Sequence, residues 1–206
     1  MIDQPVIRLF RCRPVRGAFD AILRDVMIPD LRARPGLVDV HAGRTGGDER
    51  GERLVASVWE SRPAMVGSLG ETIASSPFHP EYLAETADRS IEVLDVATML
   101  RFGEIVDAAV LRLARGRVRS GELAAYVEEV RCGVLEDRER GVGPGALYVG
   151  VAGPDEFVTV STWGSWSSIE AATGADTRSP VATQHGQRLE SFEVTHYEIV
   201  QALVLT

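Results

Sequence analysis

A chain of 206 residues with 45% hydrophobic and 25% charged residues can bury a packed core, which excludes a disordered or fibrous polypeptide. Its formal net charge of −8 argues against a nucleic-acid or anionic-membrane partner, since both need a basic surface. All 22 basic residues are arginine and there is no asparagine, so neither a Schiff-base lysine nor asparagine-dependent chemistry is available.

The N-terminus, Met1 to Pro5, lacks the basic and apolar regions of a signal peptide, and no apolar run is long enough for a membrane span. The first strand is expected around Arg8-Leu9-Phe10-Arg11. Its alternation puts Arg8 on one face with Phe10 and Cys12, opposite Ile7 and Leu9. Phe19, Ile22, Leu23, Val26 and Leu31 then trace one face of a helix, in which Pro29 is an interruption. Pro35-Gly36 ends the helix. A strand from Leu37 to Ala42 follows, with His41 read as sharing the face of Leu37 and Asp39. A Gly- and Asp-rich turn leads to Leu54–Trp59, so these two strands form a hairpin. A second helix is expected over Pro63–Leu69, and a long last strand over 90–102.

The same series then repeats. Arg112-Leu113-Ala114-Arg115 matches Arg8-Leu9-Phe10-Arg11 at an offset of 104. Leu123, Tyr126, Val127, Val130 and Leu135 restate the helix stripe, and Pro144-Gly145 restates the turn. Strands over 146–151 and 158–163, a helix over 167–173 and a last strand over 191–204 complete it. Each copy reads β-α-β-β-α-β, the ferredoxin-like order. The expected fold is α+β: residues 1–102 and 108–206 as two units, joined by 103–107, whose open sheet faces pair into a pseudo-dimeric barrel. Cys12 and Cys132 fall at non-equivalent places, which fits a reduced, cytoplasmic protein rather than a disulfide framework.

Trp59-Glu60-Ser61, followed by Met65, Ser75-Ser76 and Phe78, resembles the antibiotic biosynthesis monooxygenase (ABM) family of the dimeric α+β barrel superfamily. The second copy keeps Trp163 and Ser165, with Gly164 where the first has Glu60. The resemblance spans nearly the whole chain, twice. It implies a small-molecule site between sheet and helices, and as activities cofactor-free oxygenation of aromatic substrates or degradation of haem. The haem-degrading branch uses a first-strand asparagine, a second-helix tryptophan and a histidine. Those places fall on Phe10 and Ala114, near Ser68 and Ala172, and near His79 and His185. Haem is therefore disfavoured and no cofactor is expected.

Candidate bases are His41, His79 and His196, each of which is also readable as a satisfied surface, loop or interface histidine. Candidate pocket walls are Phe10, Trp59, Tyr148 and Trp163, with the tryptophans read first as core residues and only second as pocket walls. Arg8 and Arg112, at equivalent strand positions, are read as structural partners of Glu92 or Glu193, or as anchors for a substrate carboxylate. No metal-ligand cluster, phosphate-binding loop or Ser-His-Asp order is present. The reading is an ABM-like monooxygenase of a small planar apolar or aromatic substrate; its rival is a non-catalytic barrel that binds a small ligand or haem. A homo-oligomer is compatible with either.

Overall fold

A computed structural model of the chain describes residues 4–15, 19–46, 50–70, 84–102, 108–181 and 186–201. By backbone contacts the chain divides into two compact units, Met1–Asp95 with Tyr197–Thr206, and Val96–His196. Each carries the same order of elements.

In the first unit, β1 (Val6–Pro14) lies between β3 (Arg53–Trp59) and β4 (Thr86–Arg101), and β3 also pairs with β2 (Leu37–Arg44), antiparallel throughout. Val6 to Phe10 are buried without a break, as befits a strand covered on both faces. Between β1 and β2 the chain runs through α1 (Phe19–Ile22), a π-helical turn (Leu23–Met27) and α2 (Ile28–Arg32). The expected interruption at Pro29 takes this form. Proline has no amide hydrogen and its ring excludes the carbonyl four residues back, so the turn ahead of it widens rather than continuing as regular α-helix. Gly36, at φ +80°, closes the turn into β2 where a Cβ would stand 2.8 Å from that of Ala64.

The register of β2 corrects one reading. Leu37 pairs with Trp59 but Asp39 with Val58, so Val38 is an extra residue. Leu37 therefore packs with Val40 and Ala42 on the helix-covered side. Asp39 and His41 share the other face without it.

The second unit repeats the plan with β5 (Val110–Val118), α4 (Leu123–Glu139), β6 (Ala146–Val151), β7 (Glu156–Trp163), α5 (Trp166–Thr173) and β8 (Leu189–Gln201). β7 pairs with β5 and β6, both antiparallel. α4 has no proline and is one unbroken α-helix of 17 residues. The short helices after β3 and β7, α3 (Arg62–Leu69) and α5, begin alike. Ser61 and Ser165 are extended N-caps whose hydroxyls accept from the Ala64 and Ser168 amides, at 3.2 and 3.1 Å. β4 and β8 are the longest strands, and each passes from one unit into the other: Asp95 is followed by Val96, and His196 by Tyr197. Among the described residues no helix is long and apolar enough to cross a membrane.

Candidate functional site: a cavity in the second unit

Both units bury a tryptophan at the end of the third strand. Trp59 and Trp163 are 0% and 1% exposed, and each indole N–H donates to the serine two residues back, Ser57 at 3.0 Å and Ser161 at 2.9 Å. In the first unit the helix-covered side is one continuous apolar cluster, running from Phe19, Leu23 and Met27 through Phe10 to Trp59 and Met65. In the second unit it falls into two. One holds Tyr126, Val134 and Leu147, with Phe192 against it; the other holds Trp163, Ile169 and Val181.

A cavity lies between them, with about 10 Å³ open to a water-sized sphere, and its walls come from both clusters. That is about the room one water needs. Its floor is Ala114, which stands where the first unit has Phe10. The missing ring accounts for the gap.

The cavity has one charged group. Arg112 projects from β5 and is 3% exposed. Its Nη2 donates to the Ser179 carbonyl at 2.6 Å, and the guanidinium carbon lies 5.7 Å from the centroid of the Phe192 ring. Its Nε has no hydrogen-bond partner, and no carboxylate pairs with it among the described residues. The anticipated Arg112–Glu193 pair is therefore not the arrangement found. Burial lowers the Arg112 pKa to about 10, so the group is still cationic at neutral pH. Burial likewise pushes the Tyr126 phenol up, opposed by Arg112. The Thr159 hydroxyl, on the same cavity wall, also has no hydrogen-bond partner.

His196 is half-buried on β8, its ring 4.9 Å from that of Trp166. Burial, then the charges of Arg112 and Arg178, pull its pKa down to about 4 against an opposing hydrogen bond with the Thr177 backbone. The imidazole is neutral at neutral pH, and its Nε2 has no hydrogen-bond partner.

His196 does not line the cavity, and the candidates other than Trp163 also lie elsewhere. His41 is buried on β2 with Nε2 3.1 Å from Asp39 Oδ2. Phe10 and Trp59 are core residues of the first unit. Tyr148 is fully buried on β6, between Leu147 and Val149, which face the helices. His79 lies outside the described residues. The Trp-Glu-Ser triplet separates into a core ring, an exposed Glu60 and a helix cap, and Gly164 in the second unit is exposed too. Sequence reading missed Tyr126, Thr159, Ser161 and Phe192 as cavity walls. The pointer to them was present in the exchange of Phe10 for Ala114 within otherwise matching strands. Among the described residues no group of three or more His, Cys, Asp or Glu is placed to hold a metal ion.

Neither a protein-family model nor a curated protein sequence matches the chain. Solved structures do match in fold. A protein of Lactobacillus acidophilus provisionally assigned as a monooxygenase superposes with a TM-score of 0.74 at 11% identity, covering 99% of this chain and 100% of that one. A Fusobacterium nucleatum protein with the same provisional assignment gives 0.74 at 10% identity, covering 100% and 99%. A ferredoxin-fold protein of Listeria monocytogenes, related to antibiotic biosynthesis monooxygenases, gives 0.51 at 12% identity, covering 94% and 95%. The likeness is one of fold, and that fold is the α+β arrangement of two ferredoxin-like units expected from the sequence.

Proposed function

We propose that the chain is a tandem pair of ABM-like units acting as a cofactor-independent oxygenase on a small, planar, aromatic substrate, with its working site on the helix-covered side of the second unit. The observation that carries this is the cavity beside Ala114, walled by Tyr126, Trp163 and Phe192 around a single cation, Arg112; it has the room of one water as it stands, so a ring enters by displacing a wall. Apolar aromatic walls with a few convergent polar groups are the usual make-up of a small-molecule site.

The chemistry follows from what such walls can do. An aromatic carbon acid loses a proton, and the buried guanidinium stabilises the delocalised anion in a site that excludes water. The electron-rich anion then reduces dioxygen. For a methylene between aromatic rings the balance is one O2 taken up, one C=O formed and one water released. His196 is the base in this reading: it stands outside the cavity lining but within range of the Arg112 charge, it is neutral at working pH, and its Nε2 has no hydrogen-bond partner.

One observation favours a second reading, a non-catalytic binder. A pKa of about 4 makes the imidazole a weak base. The test is oxygen uptake with an anthrone as probe, alongside calorimetric binding of the same compound. Uptake above the buffer rate, one O2 per anthrone and abolished in His196→Ala, is expected. Binding without any uptake would leave the non-catalytic reading in possession.

A further inference from the structure

We propose that Arg112 and Thr159 form a subsite for the anionic group of a ligand, a carboxylate or small inorganic anion, so that the second unit prefers an acid to its neutral counterpart. This rests on the cavity being a ligand site, and not on the ligand being oxidised.

A guanidinium brought out of water loses much hydration energy, and proteins recover it with a carboxylate and a full set of hydrogen bonds. Arg112 has neither among the described residues. One carbonyl, that of Ser179, accepts from Nη2, and the Phe192 ring offers its face. The Nε–H and the Thr159 hydroxyl remain without partners, and both groups line the same cavity. A water there would supply hydrogen bonds without cancelling the charge. An anion supplies both, through a charge-assisted N–H bond and a hydroxyl donor. The room available, about 10 Å³, suits one oxygen or halide and not a ring.

The rest of an aromatic acid must therefore displace a wall. The wall beside Arg112 is the stretch after α5 that carries Ser179. It is folded on itself by Asp176, whose carboxylate accepts from the Arg178 amide and the Ser179 hydroxyl, each at 3.0 Å. It is tied to the sheet by the bond from Arg112 to the Ser179 carbonyl and by the hydrogen bond between His196 and the Thr177 backbone. A ligand carboxylate replaces that carbonyl as the partner of the guanidinium, exchanging a dipole for a charge.

The test is calorimetric titration of the full chain with 1-hydroxy-2-naphthoate and its neutral counterpart 1-naphthol, repeated in formate and in chloride. The acid should bind about tenfold more tightly or better, the worth of one charge-assisted bond. Arg112→Gln should remove that preference and leave 1-naphthol unchanged. Thr159→Val, which keeps the shape of the side chain, should reduce the preference by a smaller factor and serves if Arg112→Gln does not fold. Formate or chloride that competes with naphthoate at millimolar concentration identifies a free small anion as occupant. Naphthoate binding undisturbed by either identifies the aromatic acid. Equal affinity for acid and neutral compound, or a preference that survives both substitutions, overturns the proposal. Anion preference without oxygen uptake sinks the oxygenase reading alone; uptake of anthrone without anion preference sinks this one alone.

Discussion

The two units share strand order, the capping serine and the tryptophan–serine bond, yet among the described residues the helix-covered side of the first is one apolar cluster and that of the second is two clusters with a cavity between them. Phe10 joins the apolar residues of the first unit into one cluster, while Ala114 leaves two clusters and a gap beside a buried arginine. The helices differ in the opposite sense: the unit with the single cluster carries the broken α1–π–α2 stretch, the unit with the cavity the continuous α4. The cavity thus appears where the helix is most regular and one side chain has been cut back. This fits the general finding that function resides in local sites grafted on a fold.

The comparison can be tested first at what the units share. Trp59→Ala and Trp163→Ala should each lower stability by about 3–5 kcal/mol, as large aromatic core truncations do, read from denaturant or thermal melts. Trp163 borders the existing cavity, so its loss should fall at the lower end and that of Trp59 at the upper. An unchanged melt for Trp163→Ala would mean that its ring serves the cavity rather than the core.

The next test exchanges the residues that differ. Phe10→Ala should cost about 3–5 kcal/mol and create a void in the first unit. Ala114→Phe should cost about 1–3 kcal/mol, because a space sized for one water cannot take a ring without displacing Tyr126 or Phe192. It should also abolish ligand binding. A stabilising Ala114→Phe would show that the second unit relaxes into the packing of the first, and the contrast between them would lose its meaning.

The smallest expected effect concerns His196, which has no histidine counterpart in the first unit. Its folded-state pKa lies at about 4, below the ordinary 6.5. As pH falls the unfolded imidazole takes up a proton first, so stability declines from about pH 6.5 toward pH 4 and is fully present above that window. His196→Gln should flatten this part of the stability profile relative to the parent. Identical pH dependence of the two proteins would place the ring in ordinary solvent.

Much of the frame was legible because it is periodic. The strand 146–151 lies where alternation puts it, and the helix stripe from Leu123 to Leu135 marks α4. The bulge at Val38 was not legible: one extra residue leaves composition untouched while it turns every later side chain over, and Leu37 was assigned to the face of His41 for that reason. The cavity was half legible. Arg112 was recognised, but its bond to Ser179 joins residues 67 positions apart, which no local pattern encodes. Ser57 and Ser161, two residues before the tryptophans, formed a repeated same-face pair that spacing alone could have revealed.

The passage of β4 and β8 between the units bears on how the chain can be dissected. A cut within 103–107 would part segments that the compact units hold together. The fragment ending at 102 would lose Tyr197, whose hydroxyl donates to Glu52 at 2.5 Å in the first unit. The fragment beginning at 108 would lose Phe102, whose amide donates to the Gly145 carbonyl at 3.0 Å in the second. Each piece would be left with an unpaired strand edge, a template for aggregation. Gene fragments that look like natural modules would then behave as sticky, half-finished ones, whereas a circular permutant that keeps both long strands whole would retain these two bonds.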